Sequence, residues 1–80
     1  MTYRYRTRGT CSREIILRVE NGVVQAVQFV GGCNGNTQGV AKLAEGRDAK
    51  ELVETLEGIK CGFKGTSCPD QLAKAIKEVL

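Results

Sequence analysis

Hydrophobic and polar positions recur at two periods along this chain, two residues in the first thirty and about 3.6 thereafter. Tyr3, Tyr5 and Thr7 alternate with Arg4, Arg6 and Arg8, which predicts a terminal strand with its aromatic side toward a core and its guanidinium side toward solvent. Glu14 to Glu20 reads EIILRVE and Val23 to Val30 reads VVQAVQFV, both rich in β-branched residues. Asn21-Gly22 between them is the strongest short-range signal for a hairpin. Ile15, Leu17 and Val19 are expected to face the core, with Arg18 and Glu20 outward. The last of these strands divides its apolar residues, with Val23, Val27 and Phe29 on one side and Val24, Ala26 and Val30 on the other. That pattern predicts either a central strand covered on both faces or a bulge that shifts its register.

Beyond Gly31-Gly32 the helical period takes over. Val40, Leu43 and Ala44 form an apolar stripe on a helix from about Thr37, which Gly46 ends. Asp48, with Glu51 three residues on, has the capping-box pattern that opens a second helix carrying Leu52, Val53 and Leu56, with Gly58 as its stop. A third helix is expected from about Cys68 to the C-terminus, with Leu72, Ile76, Val79 and Leu80 on its apolar face and Lys74, Lys77 and Glu78 opposite. Strands first and helices second describe an α+β fold: an antiparallel sheet of about three strands followed by about three helices packed on one face. Residues 1–80 read as a single domain, without internal repeat, low-complexity segment or interdomain linker.

A chain of 80 residues buries only about 60% of the surface its unfolded form exposes, so its core is small unless a metal, disulfide or partner helps. A large multi-substrate enzyme does not fit into it. No apolar run nears the roughly 18 residues that span a bilayer, and no apolar stretch follows the basic N-terminal residues as it would in a secretory signal. A cytoplasmic location is therefore expected. The net charge of +3 sits entirely in residues 1–20, where Arg4, Arg6, Arg8, Arg13 and Arg18 oppose Glu14 and Glu20. Such a basic strand could bind a nucleotide or nucleic acid, yet the charge is small for a dedicated nucleic-acid module. An edge strand kept soluble by its arginines accounts for the same pattern.

Four cysteines in a reducing compartment point to metal or thiol chemistry rather than structural disulfides. Eight of the ten glycines lie within six positions of Cys11, Cys33, Cys61 or Cys68, so each cysteine is expected at a loop or an element boundary. Thr66 and Ser67 are helix-capping types, Pro69 suits a first turn, and Asp70 or Gln71 can close a capping box, which puts Cys68 at a helix N-terminus. The helix dipole and free backbone N–H groups favour a thiolate there. With no His in the chain, four thiolates suit zinc or an iron-sulfur cluster and exclude a Cys-His or Ser-His catalytic set. The spacings include no C-x2-C pair, so they do not specify a zinc ribbon. Cys61 and Cys68 are the nearest pair for dithiol exchange, the other covalent chemistry open to the chain.

The segments GTCS, FVGGCNGN and GIKCGFKGTSCPDQLAKAI, with the four cysteines, resemble the small bacterial family named for its Thr-Ser-Cys-Pro-Asp motif, here Thr66 to Asp70. The likeness runs from about Tyr3 to Leu80. A similar domain ends some adenosylcobalamin-dependent ribonucleotide reductases, where its cysteines are suspected metal ligands. The resemblance implies a metal-binding accessory domain, with zinc or an iron-sulfur cluster as cofactor. It also implies a ribonucleotide reductase or another reductase as partner, and a link to deoxynucleotide synthesis. The order of strands, Cys33, two helices, Cys61 and Cys68 is also similar to that of iron-sulfur cluster assembly scaffolds. Gly35 replaces the acidic residue and Ser67 the His that those scaffolds carry, so the likeness extends to thiolate metal binding and the fold rather than to cluster handover. Cys33, Cys61 and Cys68 are the expected ligands, with Cys11 a candidate fourth.

Overall fold

A computed structural model describes residues 2–9, 12–31, 34–59 and 65–79, with the backbone alone for 34–36. Three strands, β1 (Thr2–Arg6), β2 (Ser12–Glu20) and β3 (Val23–Gly31), precede three helices, α1 (Asn34–Ala44), α2 (Ala49–Leu56) and α3 (Cys68–Val79). The sheet is antiparallel throughout in the order β1-β2-β3, and the architecture is α+β. No helix among the described residues is long and apolar enough to cross a membrane.

The hairpin turns where Asn21-Gly22 predicts it, with both residues in the left-handed region at φ of 54° and 76°. β2 is the central strand. β3 lies at an edge, and its two-sided apolar pattern comes from a bulge: Arg18 pairs with Ala26 but Val19 with Val24, leaving Gln25 extra. The extra residue brings Val24 and Val27 onto one buried face despite their odd spacing. A second irregularity lies at the start of β2, where Ser12 pairs with Gly31 and Glu14 with Val30, leaving Arg13 extra. Glu14, Ile16 and Arg18 keep to the outer side of the sheet. The bulge turns Ser12 inward, and Ser12 is 3% exposed.

The inner side of the sheet carries Ile15, Leu17, Val24 and Val27, with Tyr3, Tyr5, Val19 and Phe29 at the margin. α1 packs on β3 and α3 on β2, while α2 lies against α3. Leu72 and Ile76 of α3 are fully buried, and each such side chain contributes roughly 1.5–3 kcal/mol of transfer free energy. α1 begins three residues before its expected start and turns Thr37, Ala41 and Ala44 inward. Leu43, expected on its apolar stripe, is instead 68% exposed. Ala41 and Ala44, rather than Leu43, take the buried side of α1, which packs on β3.

The α1–α2 connection is stitched to the hairpin. Val24 N donates to Arg47 O at 2.9 Å, Gly46 N to Val24 O at 2.8 Å and Ala49 N to Gly22 O at 2.8 Å. These bonds cover the start of the β3 edge, which would otherwise be open to pairing with another strand. Asp48 then caps α2, its carboxylate accepting from Glu51 N at 3.0 Å.

Candidate functional site

The site is built around the N-terminus of α3, and each member of the Thr66–Gln71 stretch has a distinct task there. Ser67 is the cap: its hydroxyl accepts from Asp70 N at 3.2 Å, and its carbonyl accepts from Gln71 N at 2.8 Å. The same hydroxyl donates to Ile59 O at 2.6 Å, fastening the segment that follows α2. Pro69 occupies the first turn, where its missing N–H costs nothing.

Asp70 does not close a capping box on the backbone of Ser67. Its carboxylate, 2% exposed as a residue, accepts from Gly58 N at 2.7 Å, from the Thr66 hydroxyl and from Lys74 Nζ at 3.1 Å. Burial alone would raise its pKa. The hydrogen bonds from Thr66, Gly58 and Lys74, with the Lys74 charge, outweigh that and hold the carboxyl below its ordinary value. Gln71 completes the network by donating to Thr66 Oγ1 at 3.0 Å and accepting from Arg8 N at 3.1 Å.

Cys68, 7% exposed, stands at the first helical position, as its neighbours predict. Its Sγ lies 3.3 Å from Ser12 Oγ, within hydrogen-bond distance. Nothing in the sequence pattern marks Ser12 as this partner, because strict alternation along β2 would point it outward; the bulge at Arg13 reverses it. Thr7, also buried, donates its hydroxyl to Ser12 O and its N–H to Arg13 O, bracing the bulge from β1. Gly9, at φ 74°, lies so near Thr66 that an added Cβ would meet Cγ2 at 3.1 Å. The β1–β2 connection, the start of β2 and the segment after α2 therefore all meet the start of α3, and the end of β3 pairs with Ser12 beside it.

The family model for the TSCPD domain matches residues 1–80, the whole chain. The chain belongs to the TSCPD domain family. No curated protein and no solved structure matches it.

In this TSCPD domain four of the five motif residues serve the architecture of the helix start, and Cys68 is the one held there by that architecture. Cys11, Cys33 and Cys61 lie outside the described residues. Among the described residues, no three Cys, Asp or Glu side chains converge as a metal would require. Of the described residues nearest those cysteines in sequence, Ser12 pairs with Gly31 and touches Cys68, and Ile59 is bonded to Ser67.

Proposed function

We propose that this domain binds zinc or an iron-sulfur cluster through Cys33, Cys61 and Cys68, with Cys11 a candidate fourth ligand. Its role would be that of a structural or accessory module of a reductase, a ribonucleotide reductase by family likeness. The observation that carries the reading is that Ser12 touches Cys68, while Gly31 pairs with Ser12 and Ile59 is bonded to Ser67, the residue before Cys68. Cys11 is one residue from Ser12, Cys33 two from Gly31 and Cys61 two from Ile59, and each residue of chain reaches at most about 3.6 Å. Thiolates around a tetrahedral zinc, with Zn–S near 2.3 Å, stand roughly 4 Å from one another, a separation compatible with those tethers.

The donor set supports the same reading. A chain without His offers only thiolates as soft ligands, the set that zinc and iron-sulfur clusters select. Ser12 could donate its hydroxyl to the Cys68 sulfur, and such hydrogen bonds orient metal-bound thiolates and tune them. Bound metal would add folding free energy to a small core and fasten three connections at one point. A cluster would supply a one-electron store at the same place.

The test is metal content per chain in protein purified without oxygen or chelator, for the native chain and for C33S and C68S. The proposal expects zinc, or iron with matching sulfide, in the native chain and a loss in both variants. Unchanged metal in both variants would refute these ligands. A metal-free chain that forms a reversible Cys61–Cys68 disulfide on mild oxidation would point to dithiol exchange instead.

A further inference from the structure

The positive charge of residues 1–20 is not uniformly spent. On the outer side of the sheet, Arg4 Nη1 is 3.0 Å from Glu14 Oε1 and Arg18 Nη1 is 3.8 Å from Glu20 Oε2. Arg6 and Arg13 form no ion pair among the described residues. These two exposed guanidinium side chains line one open cleft of ≈ 580 Å³, together with Thr7, Ser12, Glu14 and Val30. Glu14, the acid of the cleft, is already engaged by Arg4, so the cleft keeps a positive surplus.

Its shape follows from the bulge. Arg13 is the extra residue of β2, and its Nε lies 3.4 Å from where a Cβ on Gly31 would stand. Gly31, at φ 81°, therefore leaves room for the arginine to lie along the end of β3. Arg6 comes from β1, directly across from Glu14. Two strands thus supply one cation each to the same concavity. Guanidinium groups offer planar pairs of N–H donors that match oxyanions, and two of them balance a dianion. The volume lies within the range of small-ligand sites and exceeds the needs of a bare ion, while Val30 adds an apolar wall for an organic portion.

We propose that the cleft between Arg6 and Arg13 binds the phosphate or diphosphate group of a small organic molecule. Ser12 lines the cleft and also touches Cys68, so the bound ligand would adjoin the start of α3. The inference does not depend on metal at that end.

The experiment is calorimetric titration of the full chain with inorganic pyrophosphate at low ionic strength, repeated with R6Q, R13Q and R18Q. Arg18 lies on the same side of the sheet but outside the cleft and serves as the control. The proposal expects saturable binding weakened at least tenfold in R6Q and in R13Q and less than twofold in R18Q, with melting temperatures unchanged. Absence of binding at millimolar pyrophosphate, or equal weakening by all three variants, would overturn it. Tighter binding of a single-stranded oligonucleotide, with all three arginines contributing alike, would overturn it in favour of a nucleic-acid face.

Discussion

Asp70→Asn removes one charge from the start of α3 without changing its shape, and it strikes the bond that ties α2 to α3. In the native chain the carboxylate accepts from Gly58 N at 2.7 Å, from the Thr66 hydroxyl and from Lys74 Nζ at 3.1 Å. An amide keeps one acceptor oxygen but turns an NH2 group toward donors. Charge-assisted hydrogen bonds are worth about 1.5–3 kcal/mol each, and leaving a buried donor unsatisfied costs a similar amount. Lys74 is 47% exposed on its side chain and adds little, because such a pair is screened by water. The expected loss is therefore about 2–3 kcal/mol, set against a total stability of about 4–12 kcal/mol for a chain this long. At about 4–8 °C per kcal/mol, the melting temperature at pH 7 should fall by roughly 10–20 °C.

The pH dependence checks the cause. The folded-state pKa of Asp70 lies below its ordinary 3.8, so its contribution is complete above that value and is lost as pH falls through the folded pKa. Thermal unfolding followed by circular dichroism should show a constant gap between native chain and D70N from pH 7 to about 5, narrowing below about pH 4. A gap under 2 °C at pH 7, or one that widens in acid, would refute the role assigned to the carboxylate.

Three further outcomes follow from the same geometry. Ser67→Ala removes the α3 cap and the bond to Ile59 O, and should lower stability by about 1–2 kcal/mol in a urea titration. Leu43→Ser should change the urea midpoint by less than the equivalent of about 0.5 kcal/mol, because Leu43 faces solvent; a larger loss would mean that it is covered. Gly22→Val places a β-branched residue at φ 76° and should cost about 1–2 kcal/mol, read from the same titration.

The strands, the hairpin and the starts of α2 and α3 were legible because each rests on a local rule. Asn21-Gly22 suits a left-handed turn, Asp48 accepts from Glu51 N, and Ser67 accepts from Asp70 N. What escaped the pattern is set by partners distant in sequence. The Arg13 bulge depends on the match of β2 to Gly31 and Val30, and only through it does Ser12 reach Cys68. Leu43 faces solvent while Ala41 and Ala44 face the core, a rotation of α1 set by its packing on β3 rather than by its own apolar stripe. Asp70 reads as an ordinary capping residue because one of its partners, Gly58, is twelve residues away.

The cysteines stood out by their glycine-rich settings, and Cys68 also by the capping residues around it. The network that fixes Cys68 had no sequence signal beyond the polarity of Thr66, Asp70 and Gln71. The family match covers the whole chain, so the motif belongs to this architecture.

The most direct measurement is elemental analysis of the native chain, purified without oxygen or chelator, combined with titration of its free thiols. The account predicts about one zinc per chain, or several irons with matching sulfide, and thiols that react only after the metal is removed. Protein with neither zinc nor iron, in which all four cysteines titrate freely without denaturant, would contradict it.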